Sequence, residues 1–227
     1  MLLDPTGEFI RNIALACDID GEAVLEIGCG SGRITRDLAS RAREVVAIDP
    51  DAAALGRARA QVSAASVSFV QASAETYEVI GRAFDAAVFS LSLHHLAPGA
   101  MDASLLQVAR GLRPGGRIVA IEPGDDGTLI EAETRFDVGD GDERSAKEAA
   151  HHAVRRLAGW TLGTTLEFRT LFHFDDVADF LEHLPPRGAR PASTAALTRF
   201  LESHRDGDRI VLWAARRLDV LVELPKR

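Results

Sequence analysis

The chain has 227 residues, of which 46% are hydrophobic and 26% charged, with a formal net charge of −8. Such a composition predicts one soluble globular domain with room for an inserted subdomain, and an acidic balance without a basic stripe argues against nucleic acid and anionic lipid as partners. Two cysteines, Cys17 and Cys29, are too few for a disulfide framework, so reduced thiols and a cytoplasmic location are the expectation.

The opening Met-Leu-Leu-Asp-Pro lacks the basic and apolar regions of a signal segment, and no later stretch is apolar for long enough to span a bilayer. Asp4-Pro5 predicts an N-cap and first turn for a helix over 5–17, with Phe9, Ile10, Ile13 and Ala14 on one face. Ala23–Ile27 reads as a first buried strand, followed by a turn with three glycines and a helix over about 31–41. A second strand, Glu44–Ile48, ends in Asp49, and a helix over about 51–63 leads to a third strand at Val67–Val70. The fourth strand is expected at Phe84–Leu91. A helix over about 100–112 follows, stopped at Arg113-Pro114-Gly115-Gly116, with a fifth strand at Arg117–Glu122.

Beyond Pro123 the text changes to acidic, glycine-punctuated segments without clear periodicity. A helix over about 143–157, a sixth strand at Thr165–Phe172, and helices at Asp175–Leu184 and about 193–204 are expected. Strand material resumes at Arg209–Ala214, and Leu218–Leu224 reads as a closing antiparallel strand. Strands alternating with helices require a mostly parallel sheet.

The chemistry is concentrated in Val24-Leu25-Glu26-Ile27-Gly28-Cys29-Gly30-Ser31-Gly32-Arg33. Glycines let the backbone turn sharply and approach a ligand with no Cβ in the way. The helix that follows points unsatisfied N–H groups over the turn. Asp49 stands where a nucleotide-binding sheet places its acceptor for ribose hydroxyls. The spacing Gly28-x-Gly30-x-Gly32 is not the G-x-G-x-x-G of dinucleotide sites. Glu26 would repel a pyrophosphate and attract an ammonium or sulfonium group.

With its E-x-G-x-G run and its Leu112-Arg113-Pro114-Gly115-Gly116-Arg117 before a strand, the chain resembles the class I S-adenosylmethionine-dependent methyltransferases across residues 20–123. It is most similar to the small-molecule type 11/25 group. The resemblance implies a Rossmann-like, doubly wound α/β fold with a seven-stranded, mostly parallel sheet, an antiparallel last strand and a helical cap inserted after the fifth strand. It implies one domain over 1–227, with a core at 20–123 and about 160–227. The cap at about 124–158 and a second variable segment at about 173–208 would recognise the substrate.

The same resemblance implies that Glu26, Gly28, Cys29, Gly30 and Gly32 wrap the methionine half of the cofactor and that Asp49, with Pro50 beside it, holds the ribose. Related chains carry an aspartate for the adenine amino group where this one has Ser73. A serine accepts a hydrogen bond without charge, and the N–H of Ala74 would serve the ring; the competing expectation is that Ser73 only caps a helix. Ser90 completes the cofactor set.

Ser90-Leu91-Ser92-Leu93-His94-His95 ends the fourth strand at the edge where open α/β sheets bind ligands. No N/D-P-P-Y motif of nucleic-acid amino methylases is present. His94 or His95 would take a proton from an acceptor hydroxyl, the alternative being a polar lining, and Glu122 is a further orienting group. His151-His152 with Arg155-Arg156 reads as a solvated helix face, and no histidine pair has metal-ligand spacing, so no metal is expected. In-line methyl transfer to a small-molecule acceptor needs alignment more than a strong nucleophile. Rival readings are a non-catalytic S-adenosylmethionine-binding protein and a nicotinamide-dependent oxidoreductase. Monomer and homodimer are both open.

Overall fold

The computed structural model describes residues 1–78, 83–187 and 194–225. Their contacts divide them into two compact units. The larger takes the described residues of Phe9–Glu122, Ala146–Leu166 and Arg217–Arg227; the smaller takes those of Met1–Glu8, Pro123–Ser145 and Glu167–Arg216.

The elements in chain order are β1 (Leu2–Leu3), α1 (Glu8–Ala16), β2 (Ala23–Ile27), α2 (Arg33–Ala39), β3 (Glu44–Asp49), α3 (Ala52–Gln61), β4 (Val67–Gln71), β5 (Phe84–Ser90), a single 3-10 turn at Leu93–His95, α4 (Pro98–Arg110) and β6 (Leu112–Pro123). After these come α5 (Thr128–Phe136), α6 (Arg144–Arg155), β7 (Trp160–Phe174), α7 (Val177–His183), α8 (Thr194–Glu202), β8 (Arg205–Asp206) and β9 (Arg209–Glu223).

In the larger unit the strand order is β7-β9-β6-β5-β2-β3-β4. The pairs β2–β3, β2–β5, β3–β4 and β5–β6 are parallel. Every residue of β2 is buried, as a central strand covered on both faces requires. The core joins Leu25, Ile27, Ala87, Phe89, Ile118 and Ala120 of the sheet to Met101, Leu105 and Val108 of α4 and Ala150, Ala153 and Val154 of α6. At the start of β5, Asp85 accepts the backbone N–H of Ala23 at 2.9 Å and the Arg113 guanidinium at 2.6 Å. These bonds join the beginnings of β2, β5 and β6.

In the smaller unit β1 pairs antiparallel with β7, and β8 pairs antiparallel with β9. Phe136 of α5, Phe174 of β7, Phe180 of α7, Leu197 and Leu201 of α8, and Ile210, Leu212 and Ala214 of β9 form its core. Phe174 meets Phe180 edge-on at 5.1 Å between ring centres.

The sequence expectations need several corrections. Among the described residues nine strands pair rather than seven, because the two-residue pieces β1 and β8 pair as well. The first helix begins at Glu8, not at residue 5, because Gly7 is held at φ +70° in a turn whose N–H bonds the Asp4 carbonyl. Asp4 still caps, accepting the Glu8 N–H at 2.7 Å. Strand β6 starts at Leu112: Phe84 pairs with Leu112 and Ala86 with Arg117, so the Pro-Gly-Gly run is taken up as an irregularity. The two expected final strands are the single strand β9, since the charges that seemed to interrupt it are paired. Arg216 Nε donates to Thr170 Oγ1 at 3.0 Å, and Arg217 Nε donates to Asp219 at 2.8 Å. Residue 193, where the helix over 193–204 was expected to begin, lies outside the described residues. Among the described residues no helix is long and apolar enough to cross a membrane.

Candidate active site

Because β2, β3, β5 and β6 run parallel in adjacent register, their carboxyl ends share one edge of the larger unit. Glu26, Asp49, Ser90 and Glu122 stand at or next to those ends.

The turn after β2 is bound to β3 by its backbone. The N–H groups of Gly28 and Cys29 both donate to the Ile48 carbonyl, at 2.9 and 3.1 Å. Gly30 N–H donates to Asp49 Oδ2 at 2.8 Å, and the other Asp49 oxygen accepts the Asp51 N–H at 2.8 Å. Asp49 therefore braces the turn, and each of its oxygens keeps a second lone pair for a ligand hydroxyl. Pro50 follows it, and Asp51 caps α3 by accepting the Ala53 N–H.

Gly28, Gly30 and Gly32 all have positive φ, at +73°, +53° and +84°. Their surroundings separate their roles. A Cβ on Gly28 would overlap the Ser92 side chain, and one on Gly32 would come 3.0 Å from the Ala58 Cβ. A Cβ on Gly30 would meet nothing within 4 Å. Gly28 and Gly32 thus serve close packing, whereas Gly30 is the position that opens to space. Cys29 is buried, and burial pushes its thiol pKa up, so it is a poor nucleophile.

Glu26 is fully buried. Its carboxylate accepts Thr35 Oγ1 at 2.5 Å and Ser90 Oγ at 2.8 Å. Burial raises its pKa from 4.5 to about 7, against the two hydroxyl bonds that lower it, with Asp37 and Asp49 adding to the rise. Ser90 is placed on Glu26 rather than standing apart. Thr35 was missed from the sequence, although a β-branched polar residue between Ile34 and Leu38 on the buried face of α2 was a legible signal.

Ser73 is taken up by its own turn. Its N–H donates to Thr76 Oγ1 at 2.9 Å, its hydroxyl lies 3.1 Å from the same oxygen, and its carbonyl accepts the Tyr77 N–H. Ala74 beside it is buried.

His94 and Glu122 face each other with Nδ1 to Oε2 at 2.5 Å and both side chains 2% exposed. The other Glu122 oxygen accepts the Leu93 N–H at 3.2 Å. The exposed His95 ring lies 4.1 Å from that of His94, centre to centre. Glu122 thereby fixes the 3-10 turn that carries both histidines.

The expectation that His151 and His152 lie on a solvated face holds for one of the two. His152 is exposed, 3.7 Å from Glu148. His151 is half-buried, and its Nε2 is a buried atom without a hydrogen-bond partner among the described residues. The reason is position: α6 buries Lys147, Ala150, Ala153 and Val154, and residue 151 borders that stripe.

Residues 24–116 match a family described as a methyltransferase domain. A methyltransferase of Synechocystis is 33% identical over 113 residues, 50% of this chain and 51% of the relative. The fatty-acid O-methyltransferase of Mycolicibacterium smegmatis is 33% identical over 111 residues, 48% of this chain and 40% of that enzyme. The chain therefore spans about half the length of these relatives, or less. An S-adenosylmethionine-dependent methyltransferase structure from Mesorhizobium loti has a TM-score of 0.55 at 20% identity, covering 94% of this chain and 99% of that one. The chain thus has the mixed α/β, Rossmann-like methyltransferase fold. Its residues 24–116 are similar to that methyltransferase domain.

Proposed function

We propose that the protein transfers a methyl group from S-adenosylmethionine to a small-molecule acceptor. The observation that carries this reading is Gly30, open to space at positive φ and bonded through its N–H to Asp49, at the carboxyl edge of the sheet where Glu26 also stands. Two carboxylates at neighbouring strand ends suit a ligand with cationic groups and ribose hydroxyls. They carry the wrong charge for the pyrophosphate of a nicotinamide dinucleotide, which does not favour the oxidoreductase alternative. When bound, S-adenosylmethionine supplies an electrophilic methyl group on a sulfonium.

In this reading Glu26 attracts the cationic half, held in place by Thr35 and Ser90. Gly30 gives the backbone its approach in the turn that Gly28, Cys29 and Gly32 shape around the cofactor, and Asp49 with Pro50 receives the ribose. The N–H of Ala74 and the Ser73 turn border the adenine. His94 and His95, on the turn fixed by Glu122, stand at the acceptor end as the catalytic candidates. The name of the Mycolicibacterium relative, a fatty-acid O-methyltransferase, supports a small acceptor.

Thermal unfolding with S-adenosylmethionine, S-adenosylhomocysteine and NAD tests the reading, since a ligand that binds only the native state raises the midpoint. Both sulfur ligands are expected to raise it and NAD to leave it unchanged. A rise with NAD alone would overturn the proposal.

A further inference from the structure

Resting on that reading, we infer that His151 is a recognition contact for the acceptor, which is an apolar molecule bearing a hydroxyl group. The starting observation is the His151 Nε2 atom, buried and without a hydrogen-bond partner among the described residues. Buried polar atoms are paired in the great majority of cases, and each exception calls for a reason.

Charged groups on three elements of the larger unit act electrostatically on this ring. Arg217 and Asp219 come from β9, Glu122 from the end of β6, and Arg155 from α6 itself. Asp219 is committed elsewhere, accepting Thr165 Oγ1 at 2.6 Å and Arg217 at 2.8 and 2.9 Å. Glu122 is committed to His94 and the Leu93 N–H. The ring therefore feels these charges without its Nε2 being hydrogen-bonded to any of them. Burial and Arg217 lower its pKa, against the opposing pull of Asp219 and Glu122, so the imidazole is neutral at physiological pH.

Neutrality narrows the ligand. A neutral imidazole presents Nε2 as a donor in one tautomer and an acceptor in the other. A hydroxyl satisfies either tautomer, since it both gives and accepts a hydrogen bond. An ammonium satisfies only one of them, and a carboxylate only the other. The residues that α6 buries beside His151 are Lys147, Ala150, Ala153 and Val154, the last three in one cluster with Leu221 and the partly buried Trp160 and Leu162. A few polar groups set in a largely apolar wall are the usual make-up of a small-molecule subsite. Glu122 links this place to the carboxyl edge, because one side chain both holds the histidine turn and acts electrostatically on His151.

The test uses phenol as the smallest probe with an apolar body and a hydroxyl. The full chain is first saturated with S-adenosylhomocysteine, with binding confirmed by calorimetry, and the histidine Cε1–H resonances are followed by NMR as phenol is added. The expected result is a saturable shift of the His151 resonance, with benzene at the same concentration leaving it unmoved. In His151→Phe the S-adenosylhomocysteine affinity stays within about twofold while phenol affinity, read from the remaining histidine signals, falls at least tenfold. His151→Gln, which keeps a polar atom there, recovers most of the phenol affinity. A His151 signal unmoved by saturating phenol, or phenol affinity kept in His151→Phe, overturns the inference and leaves the methyltransferase reading standing. Absence of S-adenosylhomocysteine binding in the wild type overturns both.

Discussion

Glu26 and Asp49 are both carboxylates at the ends of neighbouring strands, yet their surroundings set them to different tasks. Asp49 is half-buried and bonds two backbone N–H groups of the elements it braces, so its removal is felt twice. Asp49→Ala is expected to weaken S-adenosylhomocysteine binding by on the order of 100-fold and to lower stability by about 2 kcal/mol, as lost charge-assisted bonds do. Calorimetry reads the first and urea unfolding the second. Glu26 is the reverse case of the usual acid. Its folded pKa, about 7, lies above the ordinary 4.5, so the folded protein holds the proton more tightly than the unfolded chain. The contribution to stability is then full below pH 4.5 and is lost as pH rises towards 7, by roughly 3 kcal/mol in all. Glu26→Gln cannot titrate, so the gap between wild type and variant in unfolding free energy should change between pH 5 and pH 8. A parallel pair of curves would show that Glu26 is not titrating there.

At the scale of elements, the glycine turn separates packing from ligand approach. Gly28→Ala is expected to destabilise the protein by about 3 kcal/mol, through overlap with Ser92 added to a positive φ. Ser92→Gly in the same chain should restore part of that loss, leaving the φ strain, as a double-mutant cycle in urea would measure. Gly30→Val has room for its Cβ; it should leave the circular dichroism spectrum intact and abolish binding of S-adenosylhomocysteine. The turn, Asp49 and strands β2 to β6 were legible because glycine spacing and buried apolar runs are local signals. Helix α5 was not: it begins after Gly127 at φ +132° with no side-chain cap, and buried Glu133 breaks the apolar stripe of Leu129, Ala132 and Phe136. Strand β9 was expected as two pieces, Arg209–Ala214 and Leu218–Leu224, with Arg216 and Arg217 in the gap, whose partners are dozens of residues away in sequence or on the strand itself. His151 escaped for a similar reason, since which border of a helix stripe is covered depends on the neighbours and not on spacing.

For the whole molecule, the acid limb of stability should be set by carboxylates such as Asp85. Burial works to raise its pKa, but the Arg113 guanidinium, the Ala23 N–H and Arg43 outweigh it and hold the group below its ordinary 3.8. A depressed acid contributes stability above its unfolded pKa and loses it as pH falls through the folded value. Asp85→Asn should therefore be less stable than wild type at pH 6, with the gap narrowing as pH falls below 3.8, in urea titrations at each pH; a constant gap would mean that Asp85 acts through shape alone. Between the two carboxylates lies an asymmetry: below neutral pH the folded protein stores a proton on Glu26. The proposed cofactor brings fixed positive charge to that place, and two cations do not share one carboxylate. Each molecule bound at pH 6 must then expel close to one proton into the medium, so the observed heat of binding will differ between phosphate and Tris buffers by their heats of protonation. In Glu26→Gln that difference should vanish. Acidification would loosen the proposed cofactor well before it endangered the fold.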